Sequence, residues 1–266
     1  MISRLPGLSL SERAWGVVRR WALAWWRILY LGAVVCVLVL SPSSYGKVTR
    51  RALARHLYLD TAPVLLGFTV LAALISLVLT RIVVVTAISY GLSRYALEMV
   101  IRVLVLELIP LTAALFVAMR CTIPNGTQLA LLRQSGHLAR LSHAGADPIR
   151  VELLPRAVAG VFACITLAAL SCVVALVLAY LGVYGFSLAG LPRYTRMFGH
   201  VFAPAVTLVF VIKTVLFSLA VALIPMAAGL YDTGERTQPD SELGGLARMF
   251  AVLLLIEIGS LVGNYY

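Results

Sequence analysis

AVAGVFACITLAALSCVVALVLAYLGV, residues 157–183, decides the class of fold: 27 consecutive residues without a charge. A helix needs about 20 predominantly apolar residues to cross the hydrocarbon of a bilayer, so this run reads as a membrane span. Four further runs flank it. Residues 62–88 are apolar except for Arg81, and 100–119 carry Arg102 and Glu107. Residues 201–228 contain only Lys213, and 247–262 hold Arg248 at the edge and Glu257 inside.

Composition agrees with a polytopic membrane protein. The 266 residues are 61% hydrophobic and 12% charged, with a mean hydropathy of +0.97. A soluble domain carries roughly 25% charged residues. A soluble enzyme, a disordered chain and a fibrous protein are thereby excluded, and no room is left for a sizeable soluble domain. Cys36, Cys121, Cys164 and Cys172 are scattered without metal-ligand spacing and read as small hydrophobes.

The segment before the five runs is ambiguous. Trp21 to Leu40 is apolar apart from Arg27 and has the length of a span. Yet Trp15, Trp21, Trp25 and Trp26 cluster at one end, as interface-seeking side chains do. A full crossing would also export Lys47, Arg50, Arg51 and Arg55, against the positive-inside bias. An interfacial or re-entrant element that dips and returns fits better than a true span. The chain thus divides into an N-terminal elbow over 1–60 and a membrane domain over 61–266. With the N-terminus cytoplasmic, five crossings put sixteen of the 22 Lys and Arg in the inner segments 1–60, 120–156 and 229–248. The outer segments hold Arg94, Arg193 and Arg196, and Tyr265-Tyr266 falls at the outer interface.

Several chemistries find no support. Gly46-Lys47-Val48 lacks the rest of a phosphate-binding loop, so nucleotide hydrolysis by that route is not expected of this chain. His56, His137, His143 and His200 share no ligand spacing, and no metal site is expected. Excess positive charge sits between apolar runs, which argues for cytoplasmic loops and against nucleic acid. Ionisable groups within the spans remain. Charge in hydrocarbon is costly, so such groups pair or line a polar cavity. Lys213 and Glu257 each lie midway along their runs and are expected to pair, either to fix helix packing or to serve transport. Arg102 and Glu107 lie nearer the outer end of theirs. Pro110 should kink that helix and release backbone carbonyls, making an opening for a lipid headgroup. Between 120 and 156, Leu129, Leu132, Leu138 and Leu141 suggest short amphipathic helices. Such helices could dock a soluble partner or simply lie at the interface, and periodicity leaves both open. Gly259 and Gly263 form a GxxxG, compatible with close packing but common by chance.

Glu107-Leu-Ile-Pro110-Leu-Thr-Ala-Ala-Leu-Phe-Val-Ala-Met-Arg120 resembles the ELGPxxAALLxAxR segment of MlaE/YrbE-type permeases. Asp147-Pro148-Ile149-Arg150 with Leu154-Pro155-Arg156, and Ile212-Lys213-Thr214-Val215-Leu216-Phe217, resemble further family segments in the same order over roughly residues 50–262. The resemblance implies five spanning helices after an interfacial one, with a cytoplasmic coupling helix between the second and third spans. It implies a permease subunit, in a bacterial inner membrane, moving phospholipids or related lipids with an MCE protein and a second permease copy. It implies no enzyme activity and no cofactor in this chain, ATP being bound by a separate ABC ATPase subunit. Arg120, Gln128, Leu132, Arg133, His137, Asp147 and Arg150 would then meet the ATPase, and Arg102, Glu107, Pro110, Lys213 and Glu257 would lie along the lipid pathway. The chain departs from the family where docking carboxylates are usual, with Gln128 and Gly136 in their places, and Leu106 stands for the usual Arg. The alternative is a degenerate, non-translocating structural subunit of an MCE-type membrane assembly.

Overall fold

The charge-free run becomes the spine of the bundle because one of its faces is made of small residues. Ala157, Gly160, Ala163, Ala168, Ala175 and Ala179 recur every three to seven positions and are buried. Small side chains let helix backbones approach closely where no hydrophobic drive separates protein from lipid. In the computed structural model, which describes residues 10–42, 46–231 and 239–265, this face receives the long second helix and its neighbours.

Among the described residues the only regular elements are helices, joined by short turns, without strands. In order the helices are α1 (Leu10–Leu40), α2 (Lys47–Ser89), α3 (Ser93–Val100), α4 (Ile109–Val117) and α5 (Ile123–Gln134). There follow α6 (His137–His143), α7 (Leu154–Tyr184), α8 (Leu191–Val201), α9 (Pro204–Tyr231) and α10 (Pro239–Tyr265). Six stretches among them are long and apolar enough to cross a membrane. The end of the bundle carrying α5 and α6 is here called basal, and the end carrying α8 distal.

Three segments are wound more widely than an α-helix: Ile101–Leu108, Ala118–Thr122 and Ile149–Leu153. Each is followed at its second residue by a proline, namely Pro110, Pro124 and Pro155. Proline has no N–H and its ring displaces the carbonyl four residues back. The ladder re-registers ahead of it. Ile109 N–H reaches Leu104 O, Ile123 N–H reaches Ala118 O and Leu154 N–H reaches Ile149 O, each five residues away. The helix therefore survives its prolines, and Ser93–Gln134 is one continuous rod.

That continuity corrects two boundaries. The run expected over 100–119 is part of a helix that continues to Gln134, apolar enough over Tyr95–Gln134 to cross a membrane, so α5 follows that run without a break. The run expected over 62–88 begins at Lys47. At 1.5 Å per residue the 43 residues of α2 measure about 65 Å, twice the roughly 30 Å of hydrocarbon. No break marks position 60 or 61. A dip and return inside 21–40 is also not found, since Leu10–Leu40 is one unbroken helix.

Helix α1 buries Leu31, Val35 and Leu38 in a cluster with Leu129, Leu153, Leu223 and Met226. These partners all lie toward the basal ends of α5, α7 and α9. Trp21 and Trp26 are exposed on the same helix. At the distal end, the Tyr194 hydroxyl of α8 donates to Leu176 O at 2.9 Å, which ties α8 to α7. Burial pushes that phenol up to about 12. The expected Tyr265-Tyr266 anchor and much of segment 229–248 lie outside the described residues or side chains.

Candidate functional site

Helix α9 is apolar except for Lys213, which is 2% exposed. An ammonium taken so far from water needs compensating partners. Two carboxylates and a carbonyl supply them. Lys213 Nζ lies 2.9 Å from Glu257 Oε2 of α10 and makes an ion pair with Glu107 Oε2. It also donates to Leu106 O at 3.2 Å. Leu106 is four residues before Pro110, which has no N–H to offer that carbonyl. Asn264 Nδ2 donates to Glu107 Oε1 at 3.3 Å and closes the cluster on its distal side. The ammonium also stands 5.7 Å from the Phe217 ring centroid, one turn along its own helix.

The expected Lys213–Glu257 pair is present, and Glu107 joins it. A run ending at residue 119 puts Glu107 nearer its outer end. Once the rod extends to Gln134, Glu107 stands at the level of Lys213. Arg102 is not part of the cluster and pairs with Glu98 at 3.1 Å, one turn earlier. Pro110 is buried. Asn264 was missed because it lies beyond the apolar run and carries no charge to mark it.

The basal residues divide into outward and inward sets. Helix α5 presents Thr127, Gln128, Leu131 and Gln134 outward and buries Asn125, Gly126 and Leu129. Arg120 and Gln128 are exposed, while Leu132 is half-buried. Arg133 turns inward and its Nη1 donates to Leu230 O at 2.7 Å, near the C-terminus of α9. Arg27 of α1 approaches the same terminus, donating to Tyr231 O at 3.4 Å. Cationic groups suit a helix C-terminus, where carbonyls lack intrahelical donors. His137 lies 3.8 Å from Glu152, and Asp147 pairs with Arg150 at 3.5 Å on the exposed surface. Gly136 has φ 70° and forms a left-handed turn that glycine adopts cheaply.

Two further basal contacts gave no clear sequence signal. Asn125 Nδ2 donates to Asp60 Oδ2 at 3.0 Å, and the Cys121 thiol donates to Asp60 O at 3.2 Å, joining the rod to α2. Arg156, the arginine of the quoted Leu-Pro-Arg stretch, is 7% exposed and pairs with Glu152 at 3.0 Å. Gly263 of the GxxxG faces Val209 of α9 within the same chain.

The described residues form an all-helical bundle with six stretches long and apolar enough to cross a membrane and a charge cluster held between its helices. The chain matches the family model Permease MlaE over residues 53–261 and belongs to that family. It is therefore a permease subunit of the ABC lipid-transporter type, a transport subunit and not an enzyme. No curated protein matches the chain.

Proposed function

We propose that this chain is the permease of an MCE-associated transporter that moves phospholipids or related lipids across or out of a bacterial inner membrane. Five crossings run through α2, the Ser93–Gln134 rod, α7, α9 and α10, and α1 lies as an interfacial elbow on the cytoplasmic side. The basal end is cytoplasmic, which follows from the excess of Lys and Arg there. A separate ATPase docks on the outward face of α5 and on α6, and an MCE protein meets the distal side. A second permease copy completes the lipid pathway. The observation that carries the reading is the Lys213–Glu107–Glu257 cluster. Three ionisable groups held within an apolar bundle point to a polar headgroup pathway, because a purely structural core would be cheaper without them.

Gln128, exposed where related chains carry a carboxylate, favours a second reading: a non-translocating structural subunit. Co-reconstitution with an ABC ATPase and an MCE protein separates the two. ATP-dependent transfer of a fluorescent phospholipid is expected, with Gln128→Arg reducing both ATPase recovery and transfer. An assembly that forms yet transfers no lipid would leave the structural subunit standing. Orientation is tested in intact cells with Gln128→Cys in a cysteine-free background, where an impermeant thiol reagent should fail to label it.

A further inference from the structure

Where the rod meets α9, backbone lies on backbone. A Cβ built on Gly126 would stand 2.6 Å from Pro225 O, and one built on Gly229 would overlap the Gly126 carbonyl. No side chain intervenes, so neither helix can slide or roll against the other by exchanging rotamers. Arg133 adds a hydrogen bond to Leu230 O at 2.7 Å across the same junction. The junction on the other side of α5 is of a different kind. There the hydrogen bonds to α2 are Asn125–Asp60 and, just ahead of α5, Cys121–Asp60, and such bonds can be broken and replaced by water or other partners.

We infer that Gly126 and Gly229 are positioning residues that lock α5 onto α9, so that the two move as one body against α2. This inference rests on the proposed docking of an ATPase on α5 and deepens it. A push delivered to α5 would reach α9, the helix that holds Lys213 between Glu107 and Glu257. From Gly229 to Lys213 is 16 residues, or about 24 Å of helix. Coupling over such a distance requires an element with few internal degrees of freedom, and a side-chain-free joint provides the input end of one. Pro225 removes a ladder hydrogen bond from α9, but its carbonyl is covered by Gly126 at that turn, so the weak point is braced by α5 itself.

The test uses the full complex of permease, ATPase and MCE protein in lipid. Spin labels at Leu131 of α5 and Leu216 of α9, both exposed, report the joint, and a second pair at Leu131 and Tyr58 of α2 reports the sliding side. Between nucleotide-free and ATP-bound states, the 131–216 distance distribution should stay superimposed while the 131–58 distribution shifts. A change in the 131–216 distance overturns the joint, and so does the absence of change in both pairs. Gly229→Ala should lower lipid transfer per ATP hydrolysed about tenfold with hydrolysis largely retained, whereas Gly67→Ala, which meets open space, should leave both unchanged. Full transfer by Gly229→Ala overturns the proposal, and if that variant does not fold, the two distances decide. A wild-type complex that transfers lipid while the 131–216 distance changes ends only the joint. A wild-type complex that transfers none ends the transport reading and the joint with it.

Discussion

The middle of the bundle and its basal end are held by opposite means. At mid-depth, the Ile101–Leu108 segment of the rod, α9 and α10 meet through charge, with one ammonium between two carboxylates. At the basal end, α5 and α9 meet through the absence of side chains, and arginines close the helix terminus from outside. A charge cluster is sensitive to the loss of any one charge but tolerates small displacements, since electrostatic attraction falls slowly with distance. A glycine contact is indifferent to charge and tolerates almost no displacement, because repulsion between atoms in contact rises steeply. The first arrangement can change partners during a cycle, and the second transmits whatever motion it receives.

The sharpest break of this comparison removes the cation. Lys213→Ala leaves Glu107 and Glu257 buried without it, and loss of one partner from a buried ion pair costs about 3–5 kcal/mol. Unfolding followed in mild detergent should show that loss. The triple variant Lys213→Met, Glu107→Gln, Glu257→Gln should recover most of it, because the uncompensated charge is gone. Glu107→Gln alone should cost far less, since Glu257 still faces the ammonium at 2.9 Å. Equal losses for Lys213→Ala and Glu107→Gln would show that the lysine is not the hub.

A smaller effect separates the two arginines at the basal end. Arg133→Ala removes a 2.7 Å bond from a charged donor, and such bonds are worth about 1.5–3 kcal/mol. Arg27→Ala removes a 3.4 Å contact in an exposed setting and should cost less. Thermal unfolding of the two variants side by side checks the order. The reverse order would place the stronger clamp on the elbow, and α5 would then be less firmly tied to α9 than the geometry indicates.

The extent to which these features were legible follows from what carries information in an apolar sequence. The Lys213–Glu257 pair could be expected because isolated charges within a long run have few places to go. Glu107 was visible as a residue but misplaced in depth. A helix that leaves hydrocarbon loses its apolar signature while its hydrogen-bond ladder continues, so the extensions to Gln134 and back to Lys47 were hidden. Pro124 does not start a new helix, because the wide turn at Ala118–Thr122 absorbs it. The Gly126–Gly229 contact was illegible for a different reason. Neither glycine sits in a local pattern, and their meaning exists only once α5 and α9 cross.

The smallest expected effect lies at the distal end, on α8. Tyr194 joins α8 to α7 by one hydrogen bond, and Tyr194→Phe should cost about 1 kcal/mol, read as a small drop in unfolding temperature. The pH dependence gives the sign. Burial raises this phenol from its ordinary value of 10.0 to about 12, so the folded state favours the protonated form. Its contribution is fully present below pH 10 and is lost as pH rises through about 12. The stability gap between wild type and Tyr194→Phe should therefore narrow across that interval, because the phenylalanine has no proton to lose. A gap that stays constant from neutral pH to the upper end of that interval would mean that α8 is held on the bundle by the Tyr180–Tyr194 ring contact at 5.2 Å and not by the hydroxyl.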